Sequence, residues 1–208
     1  QHIDPRQVSP LVRACVADGD TGGAGAGFEV DAALFGRDAL GSLVANRDIR
    51  AAAWTVVEGD ERVRVHFDAR VASVSAGSRR AGVVLEDGRR LEAPLLVAAD
   101  SRFSSTRRAM GIPVAMHDFG KTMLVCRVRL GRDHGGVAWE WFGEGQTRAL
   151  LPLNDGLASA VLTVPGAEAA RLRALDAGAF SRELEERYRG RFGSMALEGE
   201  VHAYPLVA

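Results

Sequence analysis

Apolar and polar positions alternate with a period of two through much of the second half of this chain. Residues 119–130 (FGKTMLVCRVRL), 136–143 (GVAWEWFG), 146–153 (QTRALLPL) and 157–164 (LASAVLTV) each read as a strand. Their turns carry Gly131, Gly143, Gly145 and Asn154-Asp155-Gly156. Four strands with little helix between them predict an antiparallel sheet. The period then lengthens. EAARLRALD and FSRELEERYRGRF are amphipathic, and in the second Phe180, Leu184, Tyr188 and Phe192 recur every four residues. One face of that helix is therefore apolar and packs on the sheet. A last strand includes Val201, Ala203 and Leu206.

The first half is more broken. Residues 7–18 read as one strand with Leu11, Val12, Cys15 and Val16 as its apolar members. A helix starts near Asn46, which can cap it, and carries Ile49 and Ala53 on one face. Residues 62–92 predict an antiparallel meander. RVRVHF alternates Val63, Val65 and Phe67, ARVASVSA alternates Val71 and Val74, and AGVVLE and RRLEA flank the hairpin signal Asp87-Gly88. The apolar run Leu95–Ala99 then reads as a buried strand that breaks at Asp100. Ser104 and Ser105 can cap a helix reaching Met110, and Gly111 with Pro113 stops it. An acidic residue at the end of a buried strand, ahead of a helix start, marks a ligand crevice in open α/β sheets. The plainer alternative is a strand-turn-helix with a capping Asp.

Composition narrows the classes. The chain has 208 residues, 47% hydrophobic and 25% charged, so it forms one large domain or two small ones. The formal net charge of -1 gives no nucleic-acid surface. No apolar run approaches the roughly 18 residues of a spanning helix, and the polar start QHIDPRQVSP lacks a signal-peptide core. Cys15 and Cys126 stand alone and the five histidines show no ligand spacing, so a zinc site is not expected and a reduced, cytoplasmic setting is. The stretch DGDTGGAGAGFEVD imitates a phosphate loop, but Phe28-Glu29-Val30 after it reads as a strand, not a helix. It also imitates a calcium loop through Asp18, Asp20, Gly23 and Glu29, with Gly22 at a ligand position and no flanking helices. A hairpin turn is the better reading of both.

Several segments together resemble the flavoprotein aromatic hydroxylases, in particular their ubiquinone-biosynthesis branch. The family's second flavin fingerprint is matched by Ala99-Asp100-Ser101, Ser104, Arg107 and Gly111-Ile112, with Ser101 where Gly is usual. Val16-Ala17-Asp18-Gly19 and Gly36 through Ile49 resemble the segment that precedes a flavin-facing helix. Asp118–Thr122, Ala138–Phe142, Leu150–Leu153, Thr163–Pro165 and Tyr204–Leu206 resemble strands of the substrate domain. The resemblance runs from about residue 10 to 208. It implies an α/β (α+β) fold of the para-hydroxybenzoate hydroxylase type. Residues 1–112 would be part of a Rossmann-type FAD domain with a β-meander, and 113–208 an antiparallel-sheet substrate domain with helices on one side.

The function so implied is an FAD- and NAD(P)H-dependent monooxygenase that hydroxylates a polyprenylated phenol. Asn46, Arg47, Asp100, Ser104 and Arg107 are the implied cofactor contacts. Trp141, Phe142, Leu151 and Pro152 are the implied substrate pocket, with Trp141 replacing a family Arg. No catalytic side chain is expected, because the cofactor carries the chemistry, and no metal. The implied partners are an aromatic or quinol-precursor small molecule, the inner membrane by peripheral docking, and other ubiquinone-pathway enzymes. The family's first and third flavin motifs are not found, so the chain is expected to be the middle of a longer protein, inactive alone. Two alternatives stand beside this: a flavin hydroxylase of a soluble aromatic acid or secondary metabolite, marked by an Arg pointing inward from the sheet, and a non-catalytic binding domain.

Overall fold

A computed structural model describes residues 3–18 and 27–208. Most of the glycine-rich stretch read above as a hairpin turn lies outside the described residues. The chain divides into two compact units, 1–59 with 117–208, and 60–116. The expected single boundary at 112/113 falls close to the second junction. The N-terminal residues join the sheet unit because a strand from them adds to its edge.

The elements of the first unit begin with β1 (Val8–Leu11) and β2 (Arg13–Asp18), two strands where one was expected. The break comes at Val12, whose amide donates to the Gly136 carbonyl at 2.9 Å. β1 then pairs in antiparallel fashion with β4 (Gly41–Val44), whereas β2 turns into the main sheet between β3 (Gly27–Asp31) and a later strand. Phe28–Val30 is thus in a strand, as its residues predict. α1 follows as Asn46–Glu58. Its N-cap is Ala45 with no side-chain cap, so the expected capping role of Asn46 is not realised; Asn46 is already in the first turn.

The second unit holds the meander β5 (Val71–Ala76), β6 (Ala81–Leu85) and β7 (Arg90–Ala93). The Asp87-Gly88 turn closes β6 on β7, with Gly88 at φ 86°, where an L side chain is strained. Two expected strands are absent. Residues 62–67 have no ladder, and Val63, Val65 and Phe67 are exposed. Leu95–Ala99 is also not a strand; Leu95 and Val97 are 74% and 72% exposed. A buried strand needs neighbours on both sides, and among the described residues no strand pairs with either segment. The Rossmann-type parallel sheet is accordingly not formed among them. α2 (Ser105–Ala109) closes the unit.

Returning to the first unit, all four predicted strands of the second half form: β8 (Asp118–Leu130), β9 (Val137–Gly143), β10 (Gln146–Pro152) and β11 (Leu157–Pro165). α3 (Gly166–Arg173), α4 (Ala177–Arg187) and β12 (Met195–Val207) complete the chain. The main sheet has seven strands in the order β12-β8-β11-β10-β9-β2-β3. Only the β2–β9 pairing in it is parallel. Its core lies on one face. Leu124, Cys126, Val128, Leu150, Ala160, Leu162 and Val164 pack there against Leu172, Phe180, Leu184, Tyr188 and Phe192. The four-residue period from Phe180 to Phe192 is the stripe that makes this contact. The fold is therefore mixed α/β, with both helices on one side of a largely antiparallel sheet.

Candidate functional site

The Asp100 turn forms as a closed knot. The Ser104 hydroxyl donates to Asp100 Oδ1. The Ser105 hydroxyl and the Thr106 amide donate to Oδ2 at 3.3 and 3.1 Å. Ser104 Oγ in turn accepts from the Arg107 amide at 2.9 Å, capping α2. The Ser104 and Thr106 hydrogen bonds hold the Asp100 carboxyl far below the usual carboxylate range. Ser101 sits at φ 91°, the conformation that the usual Gly would adopt without strain. Arg107 does not reach into open space; its Nη1 donates to the Ile112 carbonyl at 2.7 Å. Asp100, Ser104 and Arg107 are thus brought together, and their polar groups are largely committed to one another.

Asn46 and Arg47 stand at the start of α1 in the other unit. Both are exposed, and the first-turn amides there have no side-chain cap. Arg47 makes one weak pair, with Asp48 at 3.3 Å. Uncapped helix-start amides beside a guanidinium suit an anionic group.

The four expected substrate residues are divided by the sheet. Trp141 lies opposite Arg148, and Trp139 opposite Leu150. Residues paired across strands share a face, and Leu150 is in the helix-side core. Trp141 and Pro152 therefore lie on the helix side of the sheet. Phe142 and Leu151 alternate onto the other face, opposite the core that packs on α3 and α4. Phe142 is 53% exposed. The register places Thr147, Ala149, Val161 and Thr163 beside them. It also aligns Arg127, Ser159 and Leu151 across three strands. Arg127 is half-buried.

On the helix side lies a cavity of about 320 Å³ that the sequence reading did not find. Its walls include Cys15, Glu29, Trp139, Trp141, Arg148, Tyr188 and Arg191. The two indoles are parallel, 5.2 Å apart. Arg148, only 5% exposed, holds its guanidinium 5.9 Å from Trp141 and donates to the Arg187 carbonyl. Burial first, then the hydrogen bond to Glu29 at 3.4 Å, pushes the Cys15 thiol up to about 11, so it stays protonated. The signal was present in Trp139-Glu140-Trp141: residues two apart on a strand share a face.

Among the described residues, no helix is long and apolar enough to cross a membrane. No family model matches the chain. The chain is 41% identical over 170 residues to the ubiquinone hydroxylase UbiM of Neisseria meningitidis, a match covering 82% of this chain and 37% of that protein. It is 31% identical to the ubiquinone hydroxylase UbiL of Rhodospirillum rubrum, over 80% of this chain and 39% of that protein. The chain thus spans about two fifths of the length of the curated relatives it matches. Among solved structures, PqsL of Pseudomonas aeruginosa, described as a probable FAD-dependent monooxygenase, aligns with 97% of this chain and 57% of its own at a TM-score of 0.78 and 20% identity. That likeness shows the fold. HpxO of Klebsiella pneumoniae, solved with FAD and uric acid, aligns with 96% of this chain and 52% of its own at a TM-score of 0.64 and 18% identity. Together with the strand motifs and the one-sided sheet, these relations make the chain a homologue of the ubiquinone-biosynthesis hydroxylases.

Proposed function

We propose that this chain supplies the substrate-facing sheet and part of the cofactor surface of an FAD- and NAD(P)H-dependent monooxygenase acting on a polyprenylated phenol in ubiquinone biosynthesis. The observation that carries this reading is the relation to UbiM over most of the chain. The sheet agrees with it. The face bearing Phe142 and Leu151 also carries Ala149, Val161 and Val125, an apolar strip that suits a ring and tail. FAD, when bound, would supply the redox and oxygen chemistry.

The residues present fit such a cofactor in one place. Asn46 and Arg47, at the uncapped start of α1, would hold an anionic or ring-edge part of it. Asp100 acts differently. Its oxygens are occupied by Ser104, Ser105 and Thr106, so it fixes the turn's shape and the Ser101 backbone rather than offering a free carboxylate. Phe142 and Leu151 would orient the ring and exclude water from it. We assign the active protein to the cytoplasmic side, docked on the inner membrane where its substrate lies.

One observation favours a second reading, a soluble aromatic acid as substrate. Arg127 points from the sheet on the same face as Leu151, and among the described residues it has no carboxylate partner. A guanidinium so placed suits a substrate carboxylate. The test is NAD(P)H oxidation by the full-length protein with FAD, stimulated by a prenylated phenol or by an aromatic acid. The first reading expects stimulation by the phenol and its loss in Leu151→Arg. Stimulation by the acid alone, abolished in Arg127→Gln, would replace it with the second.

A further inference from the structure

The cavity beside β2 and β9 has features that neither the core nor the open face of the sheet requires. Arg191 sits over Trp139, its guanidinium carbon 3.7 Å from the ring centroid, and 6.0 Å from that of Trp141. A guanidinium stacked on an indole is desolvated on one face, while its N–H edges stay available in the plane. Among the described residues, no acceptor takes those edges: neither Arg191 nor its neighbour Arg189 has a side-chain hydrogen bond or ion pair. The carboxylates that line the same space do not compensate them. Glu29 is engaged by Arg13 at 3.2 Å and by the Cys15 thiol, and Asp18 has a partner of its own.

The floor is aromatic and rigid. Trp139 and Trp141 are stacked, Tyr188 meets Trp141 edge-on at 5.7 Å, and Phe192 backs both. Tyr188 is itself fixed, because its hydroxyl donates to the Ala149 carbonyl at 2.7 Å. The volume, about 320 Å³, falls at the lower end of small-molecule pockets. Aromatic rings beside guanidinium donors that have no acceptor among the described residues match one ligand chemistry: a planar ring bearing a carboxylate.

We propose that this cleft is a binding site for a planar aromatic carboxylate. Its ring packs against the Trp139–Trp141 pair, and its carboxylate accepts from the N–H groups of Arg191. The site is on the opposite face of the sheet from Phe142 and Leu151, so the proposal does not depend on which substrate the open face takes.

The test uses the full-length protein with 2-naphthoate as probe and the neutral 2-naphthamide as its control. Binding is read by calorimetry and by the indole N–H signals of Trp54, Trp139 and Trp141 in NMR spectra. The expected result is saturable binding of naphthoate that moves the Trp139 and Trp141 signals and not that of Trp54. The amide should bind weaker by about tenfold or more, since it cannot form the charge-assisted pair. Arg191→Gln should abolish the preference for naphthoate over the amide, and Arg191→Lys should restore only part of it, because a lysine cannot present the planar fork. Equal binding of the two probes would overturn the proposal. So would a shift confined to Trp54, or a preference for naphthoate that survives Arg191→Gln. The NMR shifts are read on the unaltered protein, so the outcome stands even if a variant fails to fold.

Discussion

Ser101 keeps a positive φ in the middle of the Asp100 turn, where its carbonyl accepts from the Ser104 amide at 3.1 Å and its hydroxyl from the Phe103 amide at 3.4 Å. Ser101→Gly should therefore leave stability within about 0.5 kcal/mol, since relief of strain offsets the greater freedom of the unfolded chain. Ser101→Val should cost about 1–2 kcal/mol, because a branched Cβ resists this conformation. Urea unfolding of the two variants checks both. Tyr188 makes a similar case in the core. Its buried hydroxyl serves the Ala149 carbonyl and, at 3.2 Å, that of Val161. Tyr188→Phe should destabilise by about 1 kcal/mol while keeping the ring contacts with Trp141 and Phe192. A loss several times larger in thermal unfolding would mean that the hydroxyl organises more than these two carbonyls.

Between elements, α3 and α4 are tied by charge as well as by their apolar stripe. Arg187 pairs with Glu183 at 2.8 Å and with Glu168, while Arg171 pairs with Glu168 at 2.8 Å and with Glu183 at 2.9 Å. The hydrogen bond from Arg171, with Arg187 adding, draws the Glu168 carboxyl from 4.5 down to about 2. A folded value below the unfolded one means the contribution is complete above about pH 4.5 and disappears as the pH falls through 2. The pairs are partly exposed, so about 1 kcal/mol or less is at stake. The melting-temperature gap between the native chain and Glu168→Gln should thus be open at neutral pH and close in acid; a gap that persists at pH 2 would contradict this.

Legibility also sorts by element. The four strands from Asp118 to Pro165 were readable because each spans a full alternation and ends in a Gly or Asn-Asp-Gly turn. The helix face from Phe180 was readable for the same reason. Leu95–Ala99 and Val63–Phe67 misled, because an apolar pattern states what a segment can bury and not whether a neighbour is there to bury it. The candidate site was legible only in part: Phe142 and Leu151 share one face of the sheet and Trp141 and Pro152 the other, because placing all four in one pocket ignored the alternation between Trp141 and Phe142 and between Leu151 and Pro152. Arg191 could not have been placed over Trp139 from sequence, since 52 positions separate them (191 − 139) and only the tertiary fold brings them together.

At the scale of the whole molecule, the stability of the sheet unit rests on the single core between the sheet and its two helices. Leu184 is completely buried at its centre. Leu184→Ala should cost about 2–5 kcal/mol in denaturant unfolding, by lost transfer energy and a residual cavity. The proposed hydroxylase would use the sheet's other face for its substrate. The most direct measurement is oxygen transfer itself. The full-length protein, supplied with FAD, NAD(P)H, a prenylated phenol and ¹⁸O₂, is analysed by mass spectrometry of the product. The account predicts one ¹⁸O atom on the ring, and a sharp fall in that product in Leu151→Arg. Flavin-loaded protein that oxidises NAD(P)H yet leaves the phenol without ¹⁸O would contradict it.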